Sequence, residues 1–209
     1  MSKLISLSFD DGPNSDLNDS TMDQMLDILQ KHNVKTSFFL IGNKIRPENE
    51  KVIKRAFDMG CDIENHSWSH PAFSNLTPQQ MLEEYNKCEE RIIQITGKKP
   101  EFFRAPYIAV NQQVFDTIKT PFIQGFGCED WENDKDADYR FNKLYKNAAD
   151  GLIILLHVME GNKYTLEATD RLIPALQKEG YEFVTVPELF KRKGVNPQRP
   201  AYQWNNILN

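Results

Sequence analysis

The sequence predicts a single-domain α/β protein built as a parallel barrel, on three observations. Strand-like and helix-like segments alternate from end to end, the pattern of βαβ units and a parallel sheet. Five consecutive aliphatic residues at 152–156 read as a strand covered on both faces. The residues fit for chemistry, Asp10, Asp11, His66, His70, Arg104, Asp130, Trp131 and His157, fall at or just past the carboxyl ends of expected strands. In a closed parallel barrel those ends meet at one mouth. In the alternative, a doubly wound open sheet, they would spread along an edge.

The first half of the chain reads in order as follows. Residues 3–9 alternate as a strand. Residues 20–32 form a helix with Met22, Met25, Leu26 and Leu29 on one face, Ser20 as N-cap and Asp23 in the first turn. Residues 35–41 are the second strand, and 48–59 a helix opened by Pro47 and closed by Gly60. A short strand at 61–64 precedes a long helix at 78–96, capped by Thr77 and Gly97.

The second half repeats the alternation. Residues 101–104 read as a strand, 112–118 as a short helix and 122–126 as a strand. A polar loop at 129–138 leads to a helix near 139–149. The strand at 152–157 is followed by a helix at 166–179 ending at Gly180, a last strand at 182–185 and a helical turn at 187–191. The domain is expected over 1–193. Residues 194–209, with two prolines and four asparagines, read as an irregular tail.

Composition narrows the function. The chain has 209 residues and a net charge of −5 with no basic cluster, which excludes a nucleic-acid partner and disfavours polyanionic substrates. No apolar run approaches the ~20 residues of a membrane helix. Cys61, Cys88 and Cys128 are too few and scattered for a disulfide framework or a zinc knuckle. No signal peptide is visible at Met1-Ser2-Lys3, so the chain as it stands reads as cytoplasmic, or as secreted if a leader has been removed. Nothing in it marks a particular oligomeric state.

Three constellations carry chemistry. His66 and His70, four apart in His66-Ser67-Trp68-Ser69-His70, can turn two imidazoles to one side, as metal ligation needs; alone, the pair also reads as a surface turn. Asp10 and Asp11 end a buried strand, where adjacent carboxylates repel unless a cation is near. Adjacent side chains of an extended backbone diverge, so one can hold a metal while the other stays free as a base. Two histidines and an aspartate suit Zn²⁺, Co²⁺ or Ni²⁺ with positions open for water and substrate. His157 ends the most hydrophobic strand at the same mouth, and a metal hydrolase needs both a base and an acid. Asp10 and His157 would supply them.

These residues resemble the motifs of the polysaccharide deacetylases, the NodB-homology carbohydrate esterases of family four. The resemblance runs from about Lys3 to about Arg192, with five motifs in order: Ser8-Phe9-Asp10-Asp11-Gly12-Pro13, His66-Ser67-Trp68-Ser69-His70, Arg104-Ala105-Pro106-Tyr107, Gly127-Cys128-Glu129-Asp130-Trp131 and Leu155-Leu156-His157. It implies a distorted (β/α)₇ barrel. Asp11, His66 and His70 would hold the metal, Asp10 would be the base and His157 the acid. Arg104 would keep Asp10 oriented and its pKa low, and Asp130 would hold His157 and tune it. The Tyr107 backbone N–H would stabilise an oxyanion. Trp131 and Leu155 would line the acetyl pocket, and Trp68, Tyr107 and Trp131 would form sugar-stacking walls. Two features depart from the pattern: Gly127 stands where an acid often opens the fourth motif, and Val158-Met159 replaces more polar residues.

The implied function is metal-dependent hydrolysis of acetyl groups from a carbohydrate, foremost the O-acetyl groups of xylan or xylooligosaccharides. The alternative is N-deacetylation of peptidoglycan N-acetylglucosamine or chitooligosaccharides. A remote third reading is a non-catalytic carbohydrate-binding relative.

Overall fold

Strand β1 (Lys3–Gly12) is the stave on which the rest is assembled. In the computed structural model, which describes residues 3–207, β1 pairs with β5 (Leu152–His157) along one edge. On its other edge it pairs with β6 (Tyr181–Phe183) near its start and β2 (Ser37–Leu40) near its end. β2 continues to β3 (Asp62–Asn65), and a separate pair joins β4 (Phe122–Ile123) to β7 (Gln203–Trp204). Every named pairing is parallel. Single-residue bridges close the ring: Asn65 to Phe103, Phe103 to Phe122, and Phe126 to Ile154. This is the distorted parallel barrel that the sequence predicts. The ends of the domain and tail expected over 1–193 and 194–209, residues 1–2 and 208–209, lie outside the described residues.

Helices α1 (Thr21–Lys31), α2 (Glu50–Asp58), α3 (Pro78–Thr96), α4 (Gln112–Thr117), α5 (Ala137–Lys146), α6 (Lys163–Lys178) and α7 (Val186–Lys193) alternate with the strands. The period-two alternation of β1 divides the core. Ile5, Leu7 and Phe9 share one cluster with Met25 and Leu26 of α1 and Leu172 and Leu176 of α6. Leu4, on the other face, joins Phe39, Phe102, Ile123, Ile153 and Trp204 inside the barrel. Each such side chain contributes about 1.5–3 kcal/mol by leaving water.

Four local readings change. Ser20 does not cap α1 through its side chain; Asn14 Oδ1 and Asp19 Oδ1 accept the Met22 and Thr21 N–H groups at 2.9 and 2.8 Å instead. The strand expected at 101–104 is reduced to the bridging residue Phe103, because the Glu64 carboxylate takes the Glu101 and Phe102 N–H groups at 2.8 and 2.9 Å. The strand at 122–126 stops after two residues, where Gly125 turns to a φ of 85°. The tail is not wholly irregular: β7 supplies a stave, and Trp204 meets Phe190 at 5.1 Å. By contrast α3 has the expected Thr77 cap, with a reciprocal Gln80 bond, and Gly97 in the left-handed region.

Candidate active site

The carboxyl end of β1 splits two adjacent carboxylates. Asp10 is still in register with β2 and β5, but the β1–β2 register shifts between Asp10 and Gly12, and Asp11 adopts a φ of 71°. A bulge of this kind re-aims a side chain. Asp10 therefore points into the barrel, onto the Arg104 guanidinium. Asp11 points across the mouth, with its Oδ1 3.6 Å from His66 Nε2 and 3.5 Å from His70 Nε2.

Both histidines come from the loop after β3. Ser67 and His70 have positive φ, 71° and 65°, held by Asn65 Oδ1 on the Ser67 N–H and Ser67 Oγ on the His70 N–H. Such backbone persists where its surroundings over-determine it. His66 Nδ1 donates to the Arg104 carbonyl at 2.7 Å, a group that can only accept, so its Nε2 carries a lone pair. That nitrogen lies 3.2 Å from His70 Nε2. Burial drives the His66 pKa down to about 3 against the pull of Asp11, and burial likewise lowers that of His70.

These atoms fit a divalent metal ion. Two neutral imidazole nitrogens and a carboxylate oxygen lie within 4.8 Å of one another, and the buried Asp11 Oδ1 has no hydrogen-bond partner among the described residues. The His66 Nε2 lone pair and the Asp11 carboxylate oxygen face one another and His70 Nε2 across 3.2–3.6 Å, an arrangement a cation among them would stabilise. Nitrogen and carboxylate donors are those of zinc and its neighbours.

Arg104 runs through the barrel interior. Its fully buried guanidinium bonds Asp10 and donates to Ser8 Oγ at 2.8 Å. It lies 4.1 Å over the Phe39 ring. Burial nevertheless raises the Asp10 pKa above its ordinary value, with Arg104 pulling it back. The expectation that Arg104 holds it low is corrected, because desolvation inside the barrel outweighs the ion pair.

Opposite, Asp130 receives His157 through two bonds: ring Nδ1 on Oδ1 at 2.7 Å and backbone N–H on Oδ2 at 2.8 Å. Burial works against the imidazolium, but Asp130, with Asp10 and Asp11 behind it, overcomes that and lifts the His157 pKa to about 9. Gly127 does not prevent this pairing.

The aromatics divide. Tyr107, 71% exposed and at a φ of 58°, stands edge-on to His70 with ring centroids 4.7 Å apart. Trp131, 48% exposed, stands edge-on to His157 at 5.5 Å. Trp68 is not joined to them; it lies against Gly42, where a Cβ would fall 2.6 Å from its ring. Leu155 is buried beside Gly125 and Gly127. Beyond Trp131 a hollow of about 270 Å³ is lined by Met159, Asn162 and Tyr164. A roomier cleft of about 550 Å³, between Asn14–Asp23 and α2, lies away from these groups.

Sequence reasoning missed three residues that serve Asp130: Asn162, Thr165 and, behind them, Arg140. The available signal was a cation on the buried stripe of α5, among Ala137, Arg140 and Leu144.

Comparison with known proteins adds a family. A family model described as polysaccharide deacetylase matches residues 1–120. The chain is 41% identical over 205 residues to a bifunctional xylanase/deacetylase of Pseudobutyrivibrio xylanivorans, covering 98% of this chain and 33% of that protein. It thus spans about a third of that relative's length. Among solved structures, the Xyl-CE4 domain of a multidomain xylanase from the hindgut metagenome of Trinervitermes trinervoides superposes with a TM-score of 0.94 at 41% identity, covering 99% of this chain and 98% of that one. A family 4 acetyl xylan esterase from Clostridium thermocellum, in complex with a cobalt ion, gives 0.92 at 34% identity, covering 98% and 99%.

Proposed function

The chain belongs to the polysaccharide deacetylase family, and from that premise we propose that it is a metal-dependent hydrolase that removes acetyl groups from a carbohydrate, chiefly O-acetyl groups of xylan or xylooligosaccharides. The observation that carries the reading is the partnerless Asp11 Oδ1 facing two imidazoles beside the Asp10 and His157 pair. The choice of xylan rests on the xylanase and acetyl xylan esterase names of the relatives. Among the described residues no helix is long and apolar enough to cross a membrane.

Asp11, His66 and His70 would hold a divalent ion, as the esterase with cobalt also supports; zinc or cobalt suits the donors best, with nickel a third candidate. When bound, that ion supplies Lewis acidity to the acyl carbonyl and makes water a better nucleophile. Asp10 takes the proton of the attacking water. Arg104 keeps Asp10 in place. The Tyr107 N–H donates to the oxygen that gains charge as the tetrahedral centre forms. His157, an imidazolium held by Asp130, gives its proton to the departing sugar oxygen. The acyl–oxygen bond breaks, acetic acid and the free hydroxyl leave, the acid giving up its proton to solvent as acetate, and the proton held by Asp10 restores His157 through solvent. Leu155 and Trp131 line the methyl's place, and Tyr107 and Trp131 serve the sugar; Trp68, packed against Gly42, is left out of that role.

One observation favours N-deacetylation as a second reading. A His157 pKa of about 9 keeps the acid protonated, which matters most to an amine leaving group. Acetate release from acetylated xylan against N-acetyl chitooligosaccharides, with and without chelator, tests both. Faster chelator-sensitive release from xylan is expected; release from neither substrate, or release indifferent to chelator, refutes the proposal.

A further inference from the structure

Arg140 sits where the apolar stripe of α5 calls for a hydrophobic residue. Its guanidinium is buried and forms no carboxylate ion pair among the described residues. Its donors go to neutral oxygens instead. Nε reaches the Lys135 carbonyl at 2.7 Å and Nη2 the Glu132 carbonyl at 3.2 Å. Nη1 reaches Thr165 Oγ1 at 2.7 Å and also Asn162 Oδ1.

A guanidinium can only donate. Thr165 Oγ1 must accept from it, so its single hydrogen is left for Asp130 Oδ2, 2.8 Å away. Asn162 must turn its oxygen to Arg140, which aims its NH₂ at the Asp130 carbonyl, Asp130 Oδ2 and the His157 carbonyl, at 3.2, 3.4 and 3.0 Å. With the two His157 bonds, the Asp130 carboxylate is held from four directions. The same guanidinium clasps the segment 132–135 that follows Trp131.

We propose that Arg140 is a positioning residue: by fixing the hydrogen-bond direction of Thr165 and Asn162 it locks the Asp130 carboxylate, and through it the His157 ring, in one orientation. This rests on the reading of His157 as the acid. Nδ1 is then committed to Asp130, leaving Nε2 to move the proton. One buried cation also ties the acid and the Trp131 loop to a common anchor.

The test is proton NMR of the nitrogen-labelled, zinc-loaded protein, where the His157 Nδ1–H, bonded to a buried carboxylate, gives a low-field resonance assigned by its loss in His157→Gln. Thr165→Val removes the hydroxyl at nearly constant volume, Arg140→Gln removes the charge, and Thr165→Ser keeps the hydroxyl. The resonance is expected to move upfield or broaden in Thr165→Val and Arg140→Gln. Both variants should lose about tenfold or more in kcat, with KM unchanged in Thr165→Val. Thr165→Ser should recover the signal and most of the turnover. A resonance unmoved in Arg140→Gln overturns the role of Arg140, and one unmoved in Thr165→Val overturns the route through Thr165, whatever turnover does; if Arg140→Gln does not fold, Arg140→Lys, which keeps the charge but not the fork, replaces it and is likewise expected to move the resonance. The acid reading fails separately, if His157→Gln keeps its turnover.

Discussion

Asp10 and His157 are register partners at the carboxyl ends of β1 and β5, and the Val158 N–H continues the ladder onto the Asp10 carbonyl at 3.0 Å. Neighbouring strands lie ~4.8 Å apart, so backbone pairing, rather than loop conformation, sets the spacing of the two groups proposed to trade protons. Loop changes around the mouth leave that spacing intact.

Asp10→Asn should lower kcat roughly 10²–10⁴-fold, the range for a lost general base, with metal content unchanged. Loss of metal together with activity would place Asp10 among the ligands and refute the division between Asp10 and Asp11.

His66→Ala should strip the divalent ion, read by elemental analysis, while the circular dichroism stays native. Leaving the Arg104 carbonyl without its donor costs about 1–3 kcal/mol, so Tm should fall without loss of the fold. Unchanged metal content would mean that the ion is held elsewhere.

The pH profile follows from the two titrations. The acid must be protonated, so kcat/KM should decline as pH rises through the His157 pKa of about 9. Burial already opposes the imidazolium and Asp130 is the strongest influence favouring it. Asp130→Asn should therefore move the alkaline limb to lower pH. Amide substrates should suffer more than esters, since an amine leaves only once protonated. Equal losses on both, or a stationary limb, would sink the pairing as a source of catalysis. On the acid side, Asp10 must be ionised to act as the base, so activity should fall as pH drops through its pKa, and Asp10→Asn should remove that limb with the turnover.

Trp204→Ala should cost about 3–5 kcal/mol in denaturant unfolding, as for a large buried aromatic, and leave KM unchanged well below the new Tm. A cost under about 1 kcal/mol would mean that the tail lies on the barrel without being part of its wall.

Much of this architecture is legible in local chemistry. The aliphatic run at 152–156 and the Thr77 and Gly97 caps of α3 specify their elements with neighbours close in sequence. What was hidden depends on distant partners. β7 exists because Gln203 and Trp204 meet Phe122 and Ile123, and no pattern in a polar tail announces that. The segment at 101–104 has strand-forming residues, yet the Glu64 side chain takes backbone donors that a neighbouring strand would have used. The polar residues at the mouth were legible because they interrupt strand ends. Arg140 was not, because it interrupts a helix stripe far from any motif. The raised Asp10 pKa was not legible, because sequence shows the charge of Arg104 and conceals how completely the pair is buried.

Arg104 also decides the traffic of the reaction. Its guanidinium, lying on Phe39 and spanning from Asp10 to Ser8, fills the shaft beneath the base. With that side filled, the proposed reaction would bring water to Asp10 and take acetate away on one face, the mouth where Asp11, His66 and His70 stand. Entry and exit would then be consecutive events on a single lane, and a ligand covering that mouth would halt both at once.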